Sequence, residues 1–328
     1  MHAVRLHAFG PAENLTYEHT DAPRPGPGQV RIAVRAAGVH LIDTTLRQGL
    51  PGPFPPAALP TVPGREVAGT VDALGEGTDP AWLGRDVVAH LGNVPGGYAE
   101  LAVSDTDRLH RVPRGLGHAE AVAMIGTGRT ALGILDFTPL GPDSLVLVTA
   151  AAGGIGTLIV QYAKNAGATV IGLAGGPAKT ARALDNGADL AVDYTRPDWP
   201  HHVRTHLDAL GRRATVVYDS VGSITAHAAV DLLGKGGQHV IYGRSGNGRP
   251  YSPTDDELHA RGITSQNVLG PALFHKGGGP RALETRALAE AAAGRLRPAI
   301  QTYPLARAAD AHRDLETRGT LGKVVLIP

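Results

Sequence analysis

The hydrophobic rhythm of the chain changes part-way along. Over the first 120 or so residues the apolar positions come in short alternating runs. Val30, Ile32 and Val34 alternate with Arg31, Ala33 and Arg35, and the segment then runs apolar to Val39, so "QVRIAVRAAGV" predicts a strand. "EVAGTVDAL" and "DVVAHL" read the same way, and "GGYAELAVS" predicts a strand after a Gly-Gly turn. Between them, "RQGLPGPFPPAALPTVPG" (Arg47–Gly64) is dense in proline and glycine. Such a segment is neither helix nor central strand, and predicts a loop of restricted flexibility.

From about residue 121 strands alternate with helices. "LVLVTA", "TVIGLA", "LAVDY", "TVVYDSV", "QHVIYG" and "GITSQNVL" are the predicted strands. Near-continuous Val/Ile runs fit parallel strands covered on both faces, and the alternation with helices argues for a doubly wound sheet. After residue 280 the pattern predicts a helix, "RALETRALAEAAAG", stopped at Gly294. A strand near "AIQTY", a helix starting at Pro304 and a terminal strand "KVVLIP" follow. The fold class is therefore α/β, a Rossmann sheet beside a β-rich domain. The expected domains are residues 1–120 plus 281–328, and 121–280.

Length and composition narrow the setting. At 328 residues the chain exceeds the usual size of one core, which supports two domains. Net charge is +1 with no Lys/Arg-rich run, so nothing points to nucleic acid or an anionic membrane. There is no cysteine, which excludes disulfides and Cys-ligated zinc. No apolar run approaches the ~20 residues of a membrane span, and "MHAVRLHAFG" lacks a signal-peptide core. A soluble cytoplasmic protein is expected.

The stretch "LVLVTAAAGGIGTLIVQYAKNAGATVIGLAGGPAK" carries the chemistry. Ala151, Gly153 and Gly156 fall at the three positions of G-x-G-x-x-G, between a strand and a helix, with another strand behind. Gly153 would admit a pyrophosphate to the backbone, and Gly156 would let the helix approach the strand. The helix N-terminus would aim free N–H groups at the diphosphate. Ile155, Leu158, Ile159, Tyr162, Ala163 and Ala166 form the predicted buried face of that helix, with Gly167 as its stop. The second strand ends in Ala174 and Gly175, where an NAD site carries an acid for the ribose 2′-hydroxyl. A small neutral floor, with Lys179 a few residues on, suits the 2′-phosphate of NADPH instead. Lys179 is one of only five lysines in the chain.

As an ordered set, "GVHLIDTTLRQG", "PGREVAGTV", "GGYAE", "AAAGGIGTLIVQYAKNAGATVIG" and "YDSVG" resemble the medium-chain dehydrogenase/reductase superfamily. The closest resemblance is to its zinc-independent quinone oxidoreductase branch, also called zeta-crystallin-like. It implies a GroES-like first domain and an active site in the cleft between domains. It also implies an NADPH cofactor, a homodimer, and site residues. Thr130 matches a threonine near the nicotinamide, and Lys179 with Tyr194 matches the pair that holds the 2′-phosphate. Tyr242, Gly243 and Arg244 match the segment along the nicotinamide ribose, and Arg318 matches a basic residue near the adenosine end. Ala152, Gly153, Gly154, Ile155, Gly175, Ser220 and Asn267 complete the expected cofactor set.

In zinc-dependent members a Cys ligand stands in a "GVC"-like segment and a His ligand in a "GHE"-like one. Here those positions hold His40 and Arg65. A guanidinium is no zinc ligand, and one histidine does not make a site, so no metal is expected. Without Zn²⁺ to polarise a carbonyl, hydride transfer to an activated acceptor is the expected reaction: a quinone or an α,β-unsaturated carbonyl. His40, Asp43 and Arg65 are the expected substrate-pocket residues. His40 is either the proton donor or a residue that only orients substrate. The branch often has Asn at His40 and Tyr at Pro51, so the pocket itself differs. Asp43 is expected to bond backbone or Arg65. Two alternatives stand beside quinone reduction: an NADPH-dependent enoyl or alkenal reductase, and a cofactor-binding crystallin-like or RNA-binding protein.

Overall fold

The computed structural model describes residues 1–54, 57–245, 251 and 253–328. Among the described residues the strands are β1 (His2–Leu6), β2 (Leu15–His19), β3 (Gln29–Val39), β4 (Glu66–Leu74), β5 (Asp86–His90), β6 (Leu101–Asp105) and β7 (Leu109–Arg111). Then come β8 (Leu145–Thr149), β9 (Thr169–Ala174), β10 (Leu190–Asp193), β11 (Ala214–Asp219), β12 (Leu233–Ile241) and β13 (Thr264–Asn267), and finally β14 (Ile300–Pro304) and β15 (Lys323–Ile327). The chain divides into two units. One holds Met1–Gly128, Glu284–Gly294 and Pro298–Pro328; the other holds Arg129–Leu283 and Arg295–Arg297.

In the first unit β3 is the spine of a seven-stranded sheet. One edge pairs antiparallel with β4. The other is shared, Gln29–Ala33 with β6 and Ala37–Val39 with β15. Alternation explains the first half, where Val30, Ile32 and Val34 are buried. From Ala36 onward every residue is buried, past a register shift between Val34 and Ala36 in the pairing with β4. Two expectations need adjustment. The ladder of "GGYAELAVS" begins only at Leu101. Before it, Val4 N–H donates to the Tyr98 carbonyl at 2.9 Å and Glu100 N–H to the His2 carbonyl at 3.0 Å, so the chain first meets β1. Pro304 closes the edge strand β14, where a missing N–H costs nothing, and a 3₁₀ turn over Leu305–Arg307 precedes the helix Ala308–Glu316.

In the second unit the six strands run in the order β10-β9-β8-β11-β12-β13, every neighbouring pair parallel. The order reverses between β8 and β11. In open parallel sheets ligands bind beyond the carboxyl ends of the strands at such a reversal. β8 is buried along its whole length, as its apolar run requires. The helix Gly154–Asn165 follows, but its buried arc is Gly156, Thr157, Leu158, Ile159, Val160 and Ala163. Ile155, Tyr162 and Ala166, expected on the buried face, are half-buried. The reason is Gly156. A Cβ there would overlap the Ala150 carbonyl oxygen and lie 2.9 Å from Ala151 Cα, so the helix rests on its glycine side against the turn. Among the described residues no helix is long and apolar enough to cross a membrane.

Candidate active site

The turn after β8 is built for close approach. Ala150 adopts φ of +48°, and Ala151 N–H donates to the Leu173 carbonyl at 3.0 Å, which ties the turn to β9. Gly153 precedes the helix Gly154–Asn165, and no side chain caps that end. Ala152 is buried, while Gly153, Gly154 and Ile155 are half-buried. An uncapped twelve-residue helix whose first turn carries two glycines leaves room and positive potential for an anion. A diphosphate fits that chemistry.

At the end of β9 there is no carboxylate. Ala174 is 1% exposed, Gly175 is half-buried, and Gly176, at φ of +84°, leads into Pro177 at the start of the helix Pro177–Asp185. The acid across the ladder from Ala174 is Asp193. Its Oδ1 accepts the Gly176 N–H at 2.9 Å, the Thr195 N–H at 3.0 Å and the Thr195 hydroxyl at 2.7 Å. Desolvation alone would raise this carboxyl, but those donors hold it below the ordinary range. Asp193 is thus committed to shaping the Gly175–Gly176 turn. Tyr194 stands beside that turn, its Cζ and Oη each 3.7 Å from where a Gly175 Cβ would be. Lys179 is half-buried in the first turn of the following helix.

The carboxyl ends of β8, β11 and β12 meet around Thr149. Its hydroxyl donates to Asp219 Oδ1 at 3.1 Å and accepts the Ser220 N–H at 2.8 Å. Tyr242 N–H donates to the Asp219 carbonyl at 2.8 Å, and Gly243 packs so tightly that a Cβ would lie 3.0 Å from the Ser220 carbonyl oxygen. Burial pushes the Tyr242 hydroxyl up, so it stays neutral. Burial would raise Asp219 too, but His239 and the N–H groups of Gly222 and Val221 hold it low. Ser220, Tyr242 and Gly243 are therefore brought together. Thr130 is half-buried at the second position of the helix Arg129–Leu135, and Arg244 is exposed. Asn267 is exposed at the end of β13, its Oδ1 accepting the Leu269 N–H at 3.1 Å. Arg318 lies in the first unit, exposed, with φ of +58°.

In the first unit His40, Asp43 and Arg65 are neighbours. Asp43 Oδ2 accepts the His40 backbone N–H at 2.9 Å and the Tyr98 hydroxyl at 3.0 Å, and Asp43 Oδ1 lies 3.8 Å from the Arg65 guanidinium. Asp43 thus bonds backbone at His40, while Arg65 stands only at ion-pair distance. Arg65 is 7% exposed, covers the Phe54 ring at 4.2 Å, and its Nε has no partner. Burial lowers its pKa, and Asp43 only partly offsets that. Tyr98 also meets His312 at 3.2 Å. Burial, the leading cause, drives the His312 ring down to about 4, so it is neutral.

Sequence reasoning missed the residues behind these groups. Neither pattern nor motif marks Asp193, Asp219, Thr149, Glu66 or Lys323. One signal was available: a charged residue opening an otherwise apolar strand, as Glu66 opens β4 and Lys323 opens β15. Such a charge is either on an edge or paired inside. Among the described residues no group of three or more His, Asp or Glu is arranged to hold a metal ion.

Fold and site together define one unit with a doubly wound parallel sheet and a second, β-rich unit that carries a polar cluster. Residues 26–114 match the family model described as "Alcohol dehydrogenase GroES-like domain", and residues 154–277 match "Zinc-binding dehydrogenase". The chain is 34% identical to a quinone oxidoreductase of Pseudomonas aeruginosa, over 99% of each chain. It is 33% identical to a 2-haloacrylate reductase of a Burkholderia species, over 99% of this chain and 98% of that one. Among solved structures it matches an NAD-dependent alcohol dehydrogenase (TM-score 0.88, 31% identity, all of both chains). It also matches Escherichia coli quinone oxidoreductase complexed with NADPH (TM-score 0.83, 29% identity, all of both chains). The chain belongs to the medium-chain dehydrogenase/reductase superfamily, in its quinone oxidoreductase branch.

Proposed function

We propose that this protein is an NADPH-dependent reductase of quinones that works without zinc. The observation that carries the reading is the end of β9: Ala174 and Gly175 offer no carboxylate, and Asp193 is committed to three donors of its own turn. A ribose 2′-phosphate would meet no free acid there, with Tyr194 beside the turn and Lys179 in the first turn of the helix that follows. The reported complex of the E. coli relative with NADPH supports the same cofactor.

When bound, NADPH supplies a hydride to the acceptor. The residues that would hold it are Gly153 to Ile155 with the diphosphate, Tyr194 and Lys179 with the 2′-phosphate, and Ser220, Tyr242 and Gly243 along the ribose. Thr130, Arg244, Asn267 and Arg318 are assigned to the remainder by resemblance. A chain without cysteine, with His40 and Arg65 at the metal-ligand positions, supports a zinc-free route. So does the Lys323 ammonium, 2.6 Å from His40 Nε2, where a cation on that histidine would stand.

A second acceptor class is favoured by one observation. Arg65 is a buried cation whose nearest carboxylate is 3.8 Å away and whose Nε is unpartnered, which suits an acceptor bearing its own carboxylate. The similarity to a 2-haloacrylate reductase points the same way. An anaerobic acceptor screen with NADPH, reading rate and product, tests both. Hydroquinone formed faster than any saturated acid supports quinone reduction, the reverse order supports the acrylate class, and no turnover with either defeats the reductase reading. Light scattering checks the expected homodimer.

A further inference from the structure

Three ionisable groups meet at one ring nitrogen in the first unit. His40 Nε2 lies 2.5 Å from Glu66 Oε1 and 2.6 Å from Lys323 Nζ, and Lys323 Nζ lies 3.0 Å from Glu66 Oε2. They come from three elements: His40 precedes the helix Leu41–Arg47, Glu66 opens β4 and Lys323 opens β15. The Glu66 and Lys323 side chains are 1% and 4% exposed, while that of His40 is 31% exposed. Burying a carboxylate with an ammonium is poor economy for stability, since desolvating both offsets most of their attraction. An apolar pair would serve packing as well. The pair is instead distinguished by what it touches, a partly exposed imidazole.

The two charges act on that ring in opposite senses. A carboxylate favours the imidazolium, and an ammonium opposes it. Only one proton fits between Nε2 and these neighbours: Nε2–H donates to Glu66, or Nε2 accepts from Lys323. In the imidazolium the Nε2 proton is held on the buried side, so the proton that can leave is on Nδ1. Two further ionisable groups bear on the cluster. His90 on β5 pairs with Glu66 across the ladder and adds to the positive field on it, and Asp43 holds the backbone N–H of His40. Gly38 and Gly126 close over Glu66, where a Cβ on either would overlap a carboxylate oxygen, so the ion pair cannot be screened by an inserted side chain.

We infer that Glu66 and Lys323 are positioning residues that set the charge of His40, and that His40 hands its Nδ1 proton to the acceptor; this rests on the reductase reading above. The acceptor gains two electrons and a hydrogen at carbon or at a carbonyl, leaving an oxyanion or enolate. The Nδ1–H bond of His40 breaks, an O–H or C–H bond forms on the acceptor, and the imidazolium becomes neutral. A solvent proton restores it.

The test titrates His40 directly, without cofactor or acceptor. In protein labelled at histidine, the His40 resonance is the one lost in His40→Asn. Its titration midpoint should fall in Glu66→Gln and rise in Lys323→Met, by roughly one to three pH units each, the effect of one opposite or like charge at close range. Truncating a buried ion pair can unfold a protein. The double variant Glu66→Gln/Lys323→Met removes both charges together, and its midpoint should lie between those of the single variants. Lys323→Arg should stay near the parent. The rate of acceptor reduction at saturating NADPH should fall as pH rises through the same midpoint in each protein. Midpoints that stay put or move together would overturn the inference, as would a rate limb that ignores them. Opposed midpoints in a protein that reduces no acceptor would overturn the reductase reading, and the donor role with it, so the two failures are distinguishable.

Discussion

Placing aspartate at Gly175 should turn the cofactor preference toward NADH. Gly175 is half-buried and has ordinary backbone geometry, so the backbone admits a side chain. A new Cβ would lie 3.3 Å from Thr195 Cγ2 and 3.7 Å from the Tyr194 ring. Thr195 is exposed and can yield a few tenths of an ångström. The carboxylate would then share its place with the 2′-phosphate. At about 6 Å and an effective dielectric of about 40, a carboxylate and a phosphate of charge near −1.7 repel by about 2 kcal/mol. That is roughly thirtyfold in NADPH affinity. NADH has no phosphate to repel and gains an acceptor for its 2′-hydroxyl, so its affinity should hold or improve. The companion variant Lys179→Ala removes a charged partner worth about 1.5–3 kcal/mol, a factor of roughly 10–150, again for NADPH alone. Dissociation constants for both cofactors in parent and variants, by fluorescence titration at two salt concentrations, make the comparison. Added salt should shrink the parent's preference. The reasoning fails if the parent prefers NADH, if Lys179→Ala weakens both cofactors equally, or if Gly175→Asp leaves the ratio unchanged.

Three other outcomes are expected. Purified protein should hold well under one equivalent of zinc and keep its turnover in chelator; one full equivalent with chelator-sensitive activity would refute a zinc-free route. Gly156→Ala should push the helix Gly154–Asn165 off its strand, because the new Cβ overlaps the Ala150 carbonyl. A stability loss of about 1–3 kcal/mol is expected, with weaker cofactor binding, read by urea unfolding and titration. Stability should also fall as pH drops from about 6.5 to about 4. His312 is buried and neutral down to about 4, whereas the unfolded chain takes up that proton near 6.5, so acid favours unfolding across this window. The full effect is about 3 kcal/mol. His312→Gln should flatten that part of the urea midpoint against pH, and an unchanged slope would show that another group carries it.

Local pattern was enough to read the dinucleotide unit. The apolar runs Leu145–Thr149 and Thr169–Ala174, the glycines between them and the proline at 177 each dictate their own backbone within a few residues. No distant partner was needed to see that Ala174 and Gly175 leave out an acid. Alternation likewise sufficed for β3 and β4, whose limits coincide with the predicted segments.

Long-range pairing decided the rest. Whether Asp193 stands free or turns back on Gly176 depends on the parallel register of β10 against β9, which periodicity does not carry. The buried arc of the helix Gly154–Asn165 escapes periodicity because apolar side chains mark a face, and here the closest approach is through a residue with no side chain. His40, Glu66 and Lys323 are separated by up to 283 positions. Sequence marks each as a polar residue beside an apolar run. Only the antiparallel pairing of β3 with both β4 and β15 puts a carboxylate, an ammonium and an imidazole at one point, because sheet register converts three remote positions into neighbours.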